Sequence, residues 1–204
     1  MYDLFSINSE DEFYTSVQNG KIHFDNSFFK RTEADLLLSA LQSTIEWNQE
    51  SMNMYGKNVN LPRLTAWYGD PDRSYSFSGI NLKPKEWTNE LSDLRKKLFD
   101  HCGINFNSLL LNLYRNELDS IGWHQDAEKE LGINPVIASI SLGGTRRFQL
   151  RRIDDHNKKL HFDLGHGSLL IMAGELQHHW QHSIAKSSVP CGARINLTFR
   201  NIIL

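Results

Sequence analysis

The chain has 204 residues, 40% hydrophobic and 23% charged, with two cysteines and a formal net charge of −2. That is the composition of a soluble globular domain with a real core and reduced thiols. It excludes a global basic field that would recruit nucleic acid, so any such contact must come from local patches. No apolar run approaches the ~20 residues that span a bilayer, and residues 1–8 lack the basic-then-apolar order of a secretory signal, so an intracellular protein of one domain is expected.

Residues 1–31 read as an irregular entry with a short strand near 21–24. Thr32-Glu33-Ala34-Asp35 ahead of Leu36, Leu37, Leu38, Ala40, Leu41 and Ile45 predicts a capped amphipathic helix packed on a sheet. The polar stretch 48–60 carries Met54-Tyr55-Gly56-Lys57, a loop or hairpin tip with an aromatic on it. Residues 62–70 are strand-like, and Tyr75, Ser76 and Phe77 lie in a segment alternating small polar and aromatic residues. A second helix is predicted over 84–100, with Leu91, Leu94 and Leu98 at helical spacing.

From Ser108 the pattern changes to short strands, expected at 109–115, 136–141, 147–153, 160–164, 168–172, 178–184 and 193–203, with turn signals between them. Helices first and strands afterwards predict a mainly β protein, a sandwich or barrel with helices outside. In the first strand Leu109, Leu111 and Leu113 share one face, and Leu110, Asn112 and Tyr114 the other. His124 and Asp126 form a second polar pair two residues apart, with metal-ligand chemistry. A third ligand must come from elsewhere, and His178, His179 and His182 all stand before the last strand. Two histidines and a carboxylate on one face of an ion leave positions open, as in non-haem Fe(II) oxygenases.

The last strand places Arg194, Asn196, Thr198 and Arg200 on one face, opposite Ile195, Leu197 and Phe199. If that polar face is enclosed, two guanidinium groups there need an anion, and a small dicarboxylate suits the gap. The alternative is an outward face with the arginines solvated or paired with an acid such as Asp163.

From Pro62 onward the chain resembles the AlkB family of Fe(II)- and 2-oxoglutarate-dependent dioxygenases, the nucleic-acid demethylases in particular. The resemblance is carried by Pro62-Arg63, Tyr68-Gly69-Asp70, Tyr75-Ser76-Phe77-Ser78-Gly79, Asn112-Leu113-Tyr114, His124-Gln125-Asp126, His166-Gly167-Ser168-Leu169-Leu170, His179-Trp180-Gln181-His182, and the run from Arg194 to Arg200. It implies a double-stranded β-helix (jelly-roll) core over 108–204, a nucleotide-recognition region over 61–107 and an N-terminal extension with a helix over 1–60. It implies iron held by His124, Asp126 and His182, and 2-oxoglutarate held by Asn112, Tyr114, Arg194, Asn196, Thr198 and Arg200. O₂ is the oxidant, and the implied reaction removes N-methyl groups from bases of the 1-methyladenine and 3-methylcytosine type in DNA or RNA, releasing formaldehyde, succinate and CO₂.

Tyr75 and Phe77, with Ser76, would pack around an extruded base, and Glu128 matches an acidic position facing the base edge. Ala127 departs from relatives with a second acid there. Tyr55, with Gly56 and Lys57, resembles the hairpin that fills the gap left by a flipped base. Arg146, Arg147, Arg151, Arg152, Lys158 and Lys159 form the main basic cluster, a candidate phosphate contact. A monomer acting in alkylation repair, in the cytoplasm or a nucleus, is the leading expectation. A hydroxylase of a protein or small molecule and a non-catalytic nucleic-acid binder are the alternatives.

Overall fold

The computed structural model describes residues 13–54, 56–71, 75–77, 80–82 and 84–203. Among these, a large antiparallel sheet runs in the order β1-β2-β13-β10-β15-β8-β5. Its strands are β1 (Thr15–Val17), β2 (Gly20–Asp25), β13 (Ser168–Ala173), β10 (Ile137–Gly143), β15 (Arg194–Arg200), β8 (Ser108–Tyr114) and β5 (Leu64–Gly69). A smaller sheet, β12-β11-β14-β9, faces it. It comprises β12 (Lys159–Leu164), β11 (Arg146–Arg152), β14 (Trp180–Ile184) and β9 (Ile121–His124). Two ribbons lie apart, β3 (Ser51–Met54) with β4 (Lys57–Asn60), and β6 (Tyr75–Phe77) with β7 (Ile80–Leu82). The expected mainly β architecture, with helices outside, is the one observed.

Alternation divides the large sheet into two faces with different partners. Leu109, Leu111, Ala138, Ile140, Leu142, Leu169, Ile171, Ile195, Leu197 and Phe199 bury against the helices α1 (Arg31–Thr44) and α2 (Asn89–Cys102). The opposite face meets the small sheet. At one end it is apolar, with Ile22, Ile137, Leu170 and Met172 against Phe148, Leu150, Trp180 and Ile184. At the other end it is polar, and there the two sheets enclose a cavity.

Local departures from expectation have identifiable causes. The first helix starts at Arg31 behind Lys30, with no side-chain cap. Thr32 is therefore inside the first turn, and Asp35 engages His166 Nε2 at 3.0 Å instead. The second helix begins at Asn89, not residue 84, because Thr88 Oγ1 accepts the Leu91 N–H. Residues before it lie extended beside β5, with the Lys85 N–H donating to Trp67 O at 2.9 Å. The strand expected from residue 178 begins at Trp180, since Leu176–His179 form a helical turn, α3.

Candidate active site

His124 ends β9 and His182 lies in β14, and the two are paired across the ladder, next to an irregularity of register between His182 and Ile184. Their rings are 4.2 Å apart, centroid to centroid. Asp126 follows two residues after β9, buried, with carboxylate oxygens 3.8 Å from His124 Nε2 and 3.9 Å from His182 Nε2. The three offer ligand atoms within 4.8 Å of one another, and no other such group of three occurs among the described residues. His124 Nδ1 lies 2.8 Å from Gly122 O. A carbonyl only accepts, so Nδ1 carries the proton and Nε2 keeps its lone pair toward the cluster.

Of the three histidines left open by spacing, His182 alone reaches this point. The helical turn of α3 carries His178 to Ile133 O and Asn134 and leaves His179 3.6 Å from Glu175.

Electrostatics keep the cluster ready for a cation. Burial alone would raise the Asp126 carboxyl, but Arg200, His182 and His124 outweigh it and hold the group at about 2. Burial, helped by His124 and Arg200 and opposed by Asp126, pulls His182 down to about 3. The unfolded chain takes a proton on His182 near 6.5. This group therefore contributes stability in full above that pH and loses it as the pH falls toward 3. In thermal melts of the chelator-treated protein, Tm should decline over that window, and His182→Asn should flatten the decline. An unchanged slope in the variant would assign the acid sensitivity elsewhere.

The polar end of the large sheet forms the opposite wall of a cavity of about 50 Å³. Arg194 opposes Tyr114, and Asn196 opposes Asn112, across the β15–β8 ladder. The strand faces expected from alternation are thus the observed ones, and the outward alternative is excluded; Asp163 pairs with Arg147. The two arginines differ. Arg200 Nη2 donates to Asp126 at 2.9 Å. Arg194 is 1% exposed and donates from Nη2 to Ser141 Oγ at 2.8 Å, while its Nε and Nη1 are buried without hydrogen-bond partners. Its guanidinium lies 5.1 Å from the Tyr114 ring. Burial lowers its pKa to about 10, against an opposing pull from Tyr114. A buried cation with two idle donors is a demand for an anion.

Asn196 and Thr198 are engaged with each other. Thr198 Oγ1 donates to Asn196 Oδ1 at 3.0 Å, and Asn196 Nδ2 donates to Ser139 Oγ at 2.7 Å. Asn112 lines the cavity and its Oδ1 accepts from buried Arg63 Nε at 2.8 Å. Sequence pattern alone assigns no role to Arg63, Ser139, Ser141 or Gln177. Alternation marks Ser139 and Ser141 as sharing a face of β10, but nothing in sequence says that this face meets β15.

The substrate side is less enclosed. Glu128 follows Asp126 half-buried, with one carboxylate oxygen buried and unbonded. Gly56 and Lys57 are exposed at the β3–β4 turn, where Gly56 has φ +76°; Tyr55 lies outside the described residues. Tyr75, Ser76 and Phe77 form β6, and their side chains lie outside the description. The basic cluster is largely spent within the protein. Arg146 is buried on the carbonyls of Asn116, Asp119 and Ala185. Arg147 pairs with Asp163, Arg152 with Asp154, and Arg151 with Gln181 while stacked over Trp123. Arg147, Lys158 and Lys159 are the exposed members of the cluster, and of these the two lysines have no ion pair among the described residues.

A jelly-roll sandwich with a two-histidine, one-carboxylate cluster at the polar end of its cavity defines a class, and sequence comparison agrees with it. The 2OG-Fe(II) oxygenase superfamily profile matches residues 21–200. The human alpha-ketoglutarate-dependent dioxygenase alkB homolog 3 is 40% identical over 179 residues, 83% of this chain and 62% of the relative. Mouse DNA oxidative demethylase ALKBH2 is 36% identical over 185 residues, 86% of this chain and 77% of the relative. Among solved structures, OsALKBH1 superposes with a TM-score of 0.65 at 19% identity, covering 92% of this chain and 100% of that one. A 2OG-Fe(II) oxygenase family oxidoreductase from Burkholderia pseudomallei gives 0.58 at 13%, covering 88% and 84%. The chain belongs to the AlkB family within the 2OG-Fe(II) oxygenase superfamily, and the family's cofactor set is Fe(II), 2-oxoglutarate and O₂. It spans less than two thirds of the alkB homolog 3 relatives it matches. No described helix is long and apolar enough to cross a membrane.

Proposed function

We propose that this protein is an oxidative demethylase of N-alkylated bases in DNA or RNA, a direct repair enzyme for lesions such as 1-methyladenine and 3-methylcytosine. The reading rests on the His124–Asp126–His182 cluster, its carboxylate and second imidazole buried, sharing one cavity with a guanidinium, Arg194, that has two idle donors. In it His124, Asp126 and His182 hold iron. Arg194 binds the far carboxylate of 2-oxoglutarate in charge-assisted fashion, helped by Tyr114 and by the Asn112 amide that Arg63 orients. Asn196 and Thr198 fix the wall between the two ends, and Arg200 anchors Asp126. When bound, iron with 2-oxoglutarate and O₂ would supply the oxidation of the methyl C–H bond to a hydroxymethyl group, with succinate and CO₂ as co-products; the N–C bond then breaks, formaldehyde leaves, and the base nitrogen keeps the electron pair and takes up a proton.

Residues 108–204 would be the catalytic core, with 61–107 the nucleotide-recognition region and 1–60 an extension. The target base cannot meet the cavity inside a duplex, so it is flipped out or single-stranded. Tyr75, Ser76 and Phe77 would pack around it, with stacking worth ~1–3 kcal/mol per base. Glu128 would favour a cationic base edge. The protein would act as an intracellular monomer. The mouse relative ALKBH2, a DNA oxidative demethylase, supports the same substrate class.

The test is incubation with Fe(II), 2-oxoglutarate, ascorbate and oligonucleotides carrying 1-methyladenine or 3-methylcytosine, followed by mass measurement. Loss of the methyl mass is expected. Turnover of 2-oxoglutarate with no repair of any methylated DNA or RNA would favour the second reading, a hydroxylase of a protein or small molecule. The internal pairing of Arg146, Arg147 and Arg152 is the observation on that side. If Tyr55 is a wedge at the β3–β4 turn, Tyr55→Ala should slow repair of duplexes several-fold more than of single strands. Equal losses on both would remove that role.

A further inference from the structure

His124 and His182 are held by a cross-strand pair, but Asp126 stands past the end of β9, where no ladder fixes its backbone. Its buried N–H points to the side chain of Gln177, with Oε1 at 3.0 Å. A backbone N–H only donates, so the amide orientation is forced by chemistry: oxygen toward Asp126, nitrogen toward Met172 Sδ at 3.7 Å. The Gln177 backbone carbonyl also accepts from Gln125 Nε2. One residue, 1% exposed, thus grips two consecutive residues of the ligand loop. Gln177 sits in α3, the helical turn that leads directly into β14 and His182.

We infer that Gln177 is a positioning residue of this site: where Arg200 holds the Asp126 carboxylate, Gln177 holds its backbone in register with the two histidines and ties the loop after β9 to the strand bearing His182. Its role is through the loop backbone and not by contact with substrate. The inference rests on the reading of His124, Asp126 and His182 as metal ligands. A buried donor left unmade would let the loop relax toward another acceptor, carrying the carboxylate out of the cluster.

The probe is Co(II) added to the metal-free protein, read by calorimetry and by the visible ligand-field spectrum, without any assay of turnover. Gln177→Met keeps the length and removes the acceptor; it should weaken Co(II) binding roughly 10–100-fold, the usual effect of losing an outer partner of a metal ligand, and alter the spectrum. Gln177→Glu keeps an acceptor oxygen and should recover affinity. Co(II) binding by Gln177→Met with wild-type affinity and spectrum would overturn the inference, as would Gln177→Glu binding as weakly as Gln177→Met. Should Gln177→Met fail to fold, Gln177→Asn, one methylene shorter, is expected to show the same loss, and wild-type affinity there overturns the inference equally. If wild-type protein shows no Co(II) site abolished by Asp126→Ala, the ligand assignment falls and this inference with it. A normal wild-type site with indifferent Gln177 variants removes only the positioning role.

Discussion

Asp126→Ala is expected to abolish turnover and to remove the metal site. The carboxylate offers the cluster's oxygen donor, and Arg200, His182 and His124 hold it below the ordinary carboxylate range, at about 2. Without it two imidazoles remain, which lack the negative charge that favours a hard divalent ion. The same change acts on the fold. Asp126 and Arg200 are both buried and 2.9 Å apart, and removing one member of such a pair costs about 3–5 kcal/mol, because the other charge is left behind. Metal binding and Tm should therefore fall together, the first beyond detection in calorimetry. Near-normal activity in Asp126→Ala would mean that the ligand set is misassigned.

Arg194→Met is expected to split two properties that usually move together. At least two charge-assisted bonds to the co-substrate disappear, each worth roughly 1.5–3 kcal/mol, so KM for 2-oxoglutarate should rise on the order of 100-fold or more. The ligand-free protein should lose little stability or gain some, since a buried cation with two unsatisfied donors is replaced by an apolar side chain of similar length. The measurement is Tm with and without 2-oxoglutarate. The ligand-induced rise should vanish while the ligand-free value holds. Arg194→Lys should not restore binding, because a point charge lacks the planar fork that meets a carboxylate. A preserved ligand-induced shift in Arg194→Met would place the co-substrate elsewhere in the cavity.

Local pattern was legible where it depends on period alone. Strict alternation in β8 and β15 identified the face shared by Asn112 and Tyr114 and the face shared by Arg194, Asn196, Thr198 and Arg200, and both line the cavity. A strand's faces follow from its own geometry, so a single stretch of sequence contains them. The spacing of His124 and Asp126 flagged the metal chemistry in the same way. Spacing could not choose among His178, His179 and His182, because the choice turns on where a helical turn hands over to a strand. α3 ends at His179, and only after Trp180 does alternation bring His182 opposite His124.

Basic residues show the converse. Arg146, Arg147, Arg151 and Arg152 form an obvious cluster along the chain, yet each has a partner in the fold. Charge counts cannot see those partners, which come from positions as far apart as Asn19 and Ala185.

By itself the sequence determined the family, the mainly β class, the two polar strand faces and the residue types for iron and 2-oxoglutarate. Each of these depends on local period or on a short ordered motif. Only the tertiary structure decided that Arg200 belongs to Asp126 while Arg194 stands apart with donors to offer, that Arg63 turns Asn112, and that Gln177 holds the loop bearing Asp126. Those facts are contacts between residues far apart in the chain, such as Arg200 and Asp126, or brought together by the packing of two sheets, and a buried polar group is satisfied or left wanting only once its neighbours are in place.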